Sequence, residues 1–137
     1  MTLTPDLAAL GDEKFVSLTT FRKSGVGVPT TVWVGRDGES LVVTTPSGSG
    51  KVKRVRNDVR IELRPSSRRG TVDTSVPPVA GVAEVVEGSG ATTRLGQVMG
   101  AKYGLEYRLV MGIERLLRRG APQRVMLRIT PAADASA

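Results

Sequence analysis

The sequence contains no cysteine and no histidine. Without cysteine there can be no disulfide bond, thiolate nucleophile or thiolate metal ligand. Without histidine the commonest general base and the commonest metal ligand are missing, and so is the serine–histidine–aspartate triad. No cluster of carboxylates stands in for them, so we expect no metal site and no catalytic side chain. If the protein is an enzyme, a bound organic cofactor supplies the chemistry.

Long apolar runs are also missing. No stretch reaches the roughly 18 apolar residues that a transmembrane helix needs, and the amino terminus lacks the basic and then apolar regions of a signal peptide. The chain has 137 residues, of which 39% are hydrophobic, and this fits one globular domain. We therefore expect a single domain over residues 1–137 and a cytoplasmic location.

Positive charge is abundant and unevenly spread. The net charge is +7, and residues 51–69 hold eight lysines and arginines against two acidic residues, a local net charge of +6. Such a field attracts an anionic partner: a phosphorylated cofactor, a nucleic acid or an anionic membrane. Only 4% of the residues are aromatic and none lies among the basic residues of 51–69. Because base-stacking side chains are missing there, we do not expect nucleic acid as the partner.

The pattern of apolar and turn residues predicts mostly strands, joined antiparallel by short turns, with flanking helices. The predicted strands cover 14–21, 26–34, 41–45, 59–63, 70–87 (interrupted at 77–78) and 124–130. The predicted helices cover 5–10, 51–57, 92–103 and 105–119, with a cap at Gly120 and a frayed tail over 132–137. Val52, Val55 and Val59 have the spacing of one helix face that packs on a core. Alternatively, Val59 is the first residue of the next strand. A further apolar stripe runs through Leu105, Leu109, Ile113 and Leu116.

The segment from Thr44 to Asp58 carries the strongest functional signal. A strand ends, a loop of glycine and serine follows (46–50), and a short basic helix begins. Backbone N–H groups of the loop and of the helix N-terminus, together with hydroxyl and cationic side chains, form an anion pocket. The spacing matches neither a Walker A loop nor a dinucleotide fingerprint. The alternative interpretation is a solvated helix face that is rich in arginine.

These features, in this order, resemble the pyridoxamine-phosphate-oxidase-like split-barrel superfamily. Within it, the chain is most similar to the small oxidoreductases that use the deazaflavin coenzyme F-420. The resemblance lies in FVSLTTFRKSGVGVPTTVWV (15–34), LVVTTPSGSGKVKRVRNDVRIEL (41–63) and RVMLRITP (124–131), and so covers nearly the whole chain. It implies a mostly β protein with flanking helices, folded as an antiparallel split β-barrel of the FMN-binding type.

The resemblance also implies a site. Lys51 and Lys53 match the cationic pair that grips the cofactor phosphate. Thr44 and Thr45 match positions that line the ribityl chain and ring. The strand whose backbone edges the tricyclic ring is matched by Thr30, Thr31, Val32 and Trp33. Such proteins are usually homodimers with the cofactor at the interface, where the late helices of the second subunit contribute; Tyr103 and Tyr107 are the candidates. Packing is the alternative role for these two tyrosines and for Trp33.

The choice of cofactor depends on charge. FMN carries one phosphate, whereas the deazaflavin coenzyme adds a tail with several carboxylates, and a net charge of +6 exceeds what one phosphate requires. We expect a groove for that tail, formed by Arg54, Arg56, Arg60, Arg68 and Arg69. The predicted function is hydride transfer between coenzyme F-420 and a small organic substrate. An FMN-dependent oxidoreductase of the same fold and a non-catalytic cofactor carrier remain alternatives.

Overall fold

The computed structural model describes residues 3–117 and 124–132. It contains six strands, β1 (Phe15–Phe21), β2 (Gly27–Asp37), β3 (Ser40–Pro46), β4 (Arg60–Ser66), β5 (Val79–Val86) and β6 (Arg124–Pro131). The four helices are α1 (Pro5–Gly11), α2 (Gly50–Asn57), α3 (Ser89–Tyr103) and α4 (Leu105–Leu117).

The six strands close into an antiparallel barrel in the order β1-β2-β3-β6-β5-β4. Alternate residues of each strand point inward, as the two-residue repeat of a strand requires, and bury a core that includes Val16, Leu18, Val34, Val43 and Leu127. The prediction of an antiparallel split barrel with flanking helices is confirmed.

Two short helices extend the barrel core. Helix α1 begins at Pro5, and the Thr4 hydroxyl caps it by accepting a hydrogen bond from the Leu7 N–H at 3.4 Å. Leu7 and Leu10 are then buried in the core. Helix α2 buries Val52 and Val55, and Val55 joins the same core.

Helix α3 packs on the outside of the barrel and covers β2, β3 and β6. Its buried residues Leu95 and Met99 form a second apolar cluster with Val42 of β3 and Met126 of β6. Helix α4 follows after Gly104, whose φ of +60° is accessible to glycine without strain.

The barrel opens on one side between β2 and β3. These two strands pair only from Val34–Val43 to Asp37–Ser40, while β2 remains paired with β1 down to Gly27 and β3 remains paired with β6 up to Pro46. The edge of β2 over residues 28–33 therefore has no ladder with β3: by the same register, residues 31–33 stand opposite the end of β3 and residues 28–30 extend past it. We call this opening the strand cleft.

The structure corrects several predicted boundaries. The predicted strand over 70–87 begins only at Val79, and residues 67–78 form a loop, because two prolines and a Gly70 with φ of +88° interrupt the pairing. Strand β4 continues through Pro65 to Ser66, where a loop was predicted. Val59 lies between α2 and β4 and is 52% exposed, so it belongs to neither.

Helix α3 begins at Ser89 instead of residue 92. The predicted helix end at 119, the cap at Gly120 and most of the frayed tail lie outside the described residues.

Candidate functional site

The N-terminus of α2 follows closely on the Pro46 end of β3, the strand that borders the strand cleft. Ser49 occupies the N-cap position in an extended conformation, yet among the described residues no side chain caps the helix. The Ser49 hydroxyl instead lies 3.0 Å from the Thr45 hydroxyl. The first N–H groups of this eight-residue helix are therefore available to an external acceptor. An uncapped helix N-terminus of this kind suits an anion.

Three cationic side chains converge on this N-terminus: Lys51, Arg54 and Arg124. Lys51 is half-buried, and its pKa is lowered, first by burial and then by the charges of Arg54 and Arg124. The Arg54 guanidinium lies over Gly50, where a Cβ atom would stand 2.7 Å from Nη1. Glycine at position 50 thus makes room for the arginine. We call Lys51, Arg54 and Arg124 the cation cluster.

Buried threonine hydroxyls hold the two arginines of the cluster in place. The Arg54 Nε donates to the Thr20 hydroxyl at 2.6 Å, and the Arg124 Nε donates to the Thr44 hydroxyl at 2.9 Å. Thr20 and Thr44 are both buried, so their positions are fixed by the barrel. The site is organised before any ligand arrives, and a bound anion would offset the repulsion among its three cations.

The residues predicted for the cofactor ring lie on β2 beside the strand cleft. Val32 is 8% exposed and packs in the barrel core, so only its backbone can face a ligand. Thr31 is exposed. The Thr30 hydroxyl donates to the Leu18 carbonyl at 3.4 Å. Trp33 stacks on Tyr103, with ring centroids 5.4 Å apart, and contacts Tyr107 at 5.6 Å. Part of the surface of each of these three aromatic rings is therefore covered by packing against the others.

The end of α3 fixes β2 at the point where the cleft begins. The Tyr103 hydroxyl accepts from the Val34 N–H at 3.1 Å and lies 2.7 Å from the carbonyl oxygens of both Lys14 and Val34. Burial raises the pKa of Tyr103 to about 12. The Lys102 ammonium donates to the carbonyls of Gly11, Glu13 and Val34 at 2.5–2.7 Å. These roles of Lys102 and Tyr103 were not predicted from the sequence.

The structure separates the other predicted cations from the cluster. Lys53 is exposed and lies about 200° around the helix from Lys51. Arg56 pairs with Glu87 at 2.7 Å. Arg60 pairs with Asp58 at 2.7 Å, and Arg68 with Glu106 at 2.6 Å. The basic segment is thus spread over α2, β4 and the loop 67–78, with several of its charges already paired, and does not form the single groove expected for a cofactor tail.

Arg124 was absent from the predicted site. It opens β6, and the register places it opposite Pro46, at the start of the loop that leads into α2. Its distance in sequence from Lys51 hides this proximity, and no local motif marks it.

Among the described residues, no helix is long and apolar enough to cross a membrane. Nor does that part of the chain contain a group of three or more acidic side chains that could hold a metal ion.

No protein-family model and no curated protein matches the sequence, but solved structures do. The chain is similar to the conserved hypothetical protein Rv2991 from Mycobacterium tuberculosis, at 22% identity and a TM-score of 0.63, over 96% of this chain and 86% of that one. It is similar to an F420 reductase, at 18% identity and a TM-score of 0.59, over 96% and 97%. A protein assigned as a pyridoxamine 5′-phosphate oxidase from Listeria innocua matches at 16% identity and a TM-score of 0.53, over 92% and 90%.

Chains described as haem-storage and haem-binding proteins share the architecture as well. The fold alone therefore does not decide the cofactor. The chain has the split-barrel fold of the pyridoxamine 5′-phosphate oxidase-like proteins.

Proposed function

We propose that this protein is an oxidoreductase that binds the deazaflavin coenzyme F-420 and transfers a hydride between it and a small organic substrate. The observation that carries the proposal is the cation cluster, which stands at the uncapped N-terminus of α2 beside the strand cleft. A phosphate with a flat ring attached fits this arrangement of a charged pocket and an open strand edge. We further propose a cytoplasmic setting.

The chain's own residues bind the coenzyme and orient it. Lys51, Arg54 and the first N–H groups of α2 hold the phosphate, with Arg124 as a third cation on the β6 side. Thr44 and Thr45 shape the wall between the phosphate and the strand cleft, and the backbone of Thr30, Thr31, Val32 and Trp33 offers hydrogen-bonding groups to the ring edge. Lys53 adds positive field from the far side of α2, whereas the charge of Arg56 is offset by Glu87.

When bound, the coenzyme supplies hydride donor or acceptor chemistry at its ring, so the protein's contribution is to position donor and acceptor. The chain has no histidine or cysteine to serve as acid, base or nucleophile. That composition fits a mechanism of positioning. It fits a non-catalytic carrier of the same coenzyme equally well, and turnover separates the two.

Haem is less well supported than a flavin-type cofactor. Haem iron is held by histidine, cysteine, methionine or tyrosine. The chain lacks the first two, Met99 and Met126 are buried in the second apolar cluster, and the Tyr103 hydroxyl is bonded to backbone. Among the described residues this leaves only Met111 and Tyr107, both on α4. FMN remains the alternative cofactor, because the cation cluster suits either phosphate.

We also propose that the protein is a homodimer with the cofactor at the interface. Helix α4 exposes an apolar stripe in which Leu105 is 80% exposed, Leu109 60% and Ile113 48%. Val110 beside the stripe is also 41% exposed, and an exposed apolar surface of this size is typical of an interaction surface. Tyr107, on the same helix, packs against Trp33 of β2, so a partner on this stripe would lie near the strand cleft.

A calorimetric titration with intact coenzyme F-420 and, in parallel, with FMN tests the proposal. We expect micromolar binding of F-420 that weakens in Lys51→Ala. Arg36→Ala is the matched control, because exposed Arg36 lies near the Ser40 end of β3 and α2 follows the Pro46 end. Tight FMN binding with only millimolar F-420 binding would assign the protein to FMN. Turnover of reduced coenzyme with a panel of acceptors then distinguishes an enzyme from a carrier.

A further inference from the structure

A second concave site lies on the outer face of β1, β2 and β4, beneath the loop 67–78. It is a groove of about 620 Å³, within the range of about 300–1,000 Å³ that is usual for small-molecule sites. Its lining includes the hydroxyl-bearing Ser17, Thr19 and Thr31, the apolar Phe21 and Pro29, and one residue of each charge, Glu62 and Arg64.

The loop that roofs this groove is anchored to the barrel. The Arg64 Nε donates to the Val76 carbonyl at 2.9 Å, and Arg68 reaches Glu106 of α4. Gly70 lies so close to Thr31 that a Cβ atom would stand 3.0 Å from its hydroxyl. The groove is therefore bounded by fixed contacts on both sides.

Glu62 is the unusual member of the lining. In a chain with a net charge of +7, arginines stand two residues before and two residues after it, on the same face of β4. Arg60 is turned toward Asp58, with contacts of 3.0 and 2.7 Å, and Arg64 donates to the roof. Within the part of the chain that the structure describes, the Glu62 carboxylate makes no hydrogen bond or ion pair. Arg64 also lines the groove and Arg60 lies over the Phe21 ring at 5.5 Å, but both are bonded elsewhere, so the Glu62 carboxylate keeps its acceptor capacity for a ligand.

We propose that this groove binds a small organic molecule that carries a cationic or N–H donor group, with that group at Glu62. The serine and threonine hydroxyls accept or donate the remaining hydrogen bonds, and Phe21 and Pro29 contact the apolar body of the ligand. This inference does not depend on the identity of the cofactor. Pro29, Thr30 and Thr31 line the groove and also belong to the strand cleft, so an occupant lies beside the proposed cofactor site.

Benzamidine and benzamide form a matched pair of probes, because they have nearly the same shape and only the amidine is charged. Both are titrated into the full chain without cofactor and followed by calorimetry or by amide chemical shifts. A charge-assisted hydrogen bond at Glu62 favours benzamidine by about tenfold. Glu62→Gln, which keeps the shape of the side chain, removes this preference. Glu84→Gln makes the same charge change at an exposed position of β5 and retains it.

The wild-type comparison needs no variant, so a folding defect cannot obscure the result. Equal affinities for the two probes, binding of neither, or a preference that survives in Glu62→Gln would each overturn the proposal. The cofactor titration reports on the cation cluster and not on Glu62. Failure of either proposal is therefore recognised separately.

Discussion

Replacing Lys51 with methionine removes one charge from the cation cluster and keeps most of the side-chain length. A hydrogen bond to a charged group is worth about 1.5–3 kcal/mol, so its loss raises the dissociation constant of a phosphorylated cofactor by about tenfold to about 150-fold. Because Lys51 is half-buried, solvent screens its charge only in part, and we expect the upper half of this range.

The same substitution has the opposite effect on the stability of the ligand-free protein. Burial, together with Arg54 and Arg124, lowers the pKa of Lys51 in the folded state, whereas an unfolded lysine has a pKa of about 10.4. Between these two values the folded state binds fewer protons, so stability rises with pH; below both values the protonated lysine is a full cost to folding. We therefore expect Lys51→Met to increase the free energy of unfolding at pH 7.

Calorimetric titration with coenzyme F-420 and urea unfolding without ligand measure the two effects separately. Lys53→Met makes the same change on the exposed face of the same helix, and we expect it to alter the dissociation constant less than about threefold, as a long-range surface charge does. Unchanged binding by Lys51→Met would refute the cation cluster as the phosphate site. Reduced stability would refute the account of its mutual repulsion.

Three further predictions concern the frame of the site and its partner. Tyr103→Phe removes the hydroxyl that bonds Val34 and should lower the free energy of unfolding by about 1–2 kcal/mol. The raised pKa of Tyr103, about 12, stabilises the fold below pH 10, and that contribution is lost as the pH rises toward 12. Between these two pH values the free energy of unfolding of the wild type, measured by urea melts, should therefore converge on that of the variant. Hydrogen bonds and charge from Arg94, then from Arg128, lower the pKa of Asp37, so Asp37→Asn should lower the free energy of unfolding at pH 7 by about 1–2 kcal/mol. This difference between wild type and variant should vanish as the pH falls through the pKa of Asp37 in the folded state. A difference that persists in acid would contradict the prediction. Leu109→Glu should convert a dimer to a monomer in analytical ultracentrifugation while Val26→Glu, an equally exposed valine change, does not; equal behaviour of the two variants would count against α4 as the interface.

The fold could be predicted from the sequence because its signals are local. The alternation in β1, β2, β3 and β6 and the hairpin turn after Arg36 set the order of antiparallel strands, and Thr4 and Pro5 mark the first helix. The loop 67–78 could not be predicted, since its valines and threonines favour a strand locally. Its prolines and Gly70 interrupt the pairing, and the contacts of Arg64 with Val76 and of Arg68 with Glu106 anchor it as a loop.

The candidate site was predictable only where its members are close in sequence. The loop before α2 identified Lys51, Arg54, Thr44 and Thr45 as neighbours. The charge count over 51–69 overstates the positive charge available to a ligand. Three arginines of that segment form ion pairs with Glu87, Asp58 and Glu106, and these pairs are set by packing. Arg124 joins the cluster only through the pairing of β3 with β6. A single sequence gives no information on such long-range registers.

The most direct test of the central claim is the map of backbone amide shifts when coenzyme F-420 is added to the full chain. We predict that the largest changes fall on residues 49–52 at the start of α2 and on residues 29–33 along the strand cleft. The emission of Trp33, the only tryptophan, should change in the same titration. If binding instead shifts amides elsewhere on the barrel and leaves these two segments unchanged, the cation cluster is not the cofactor site.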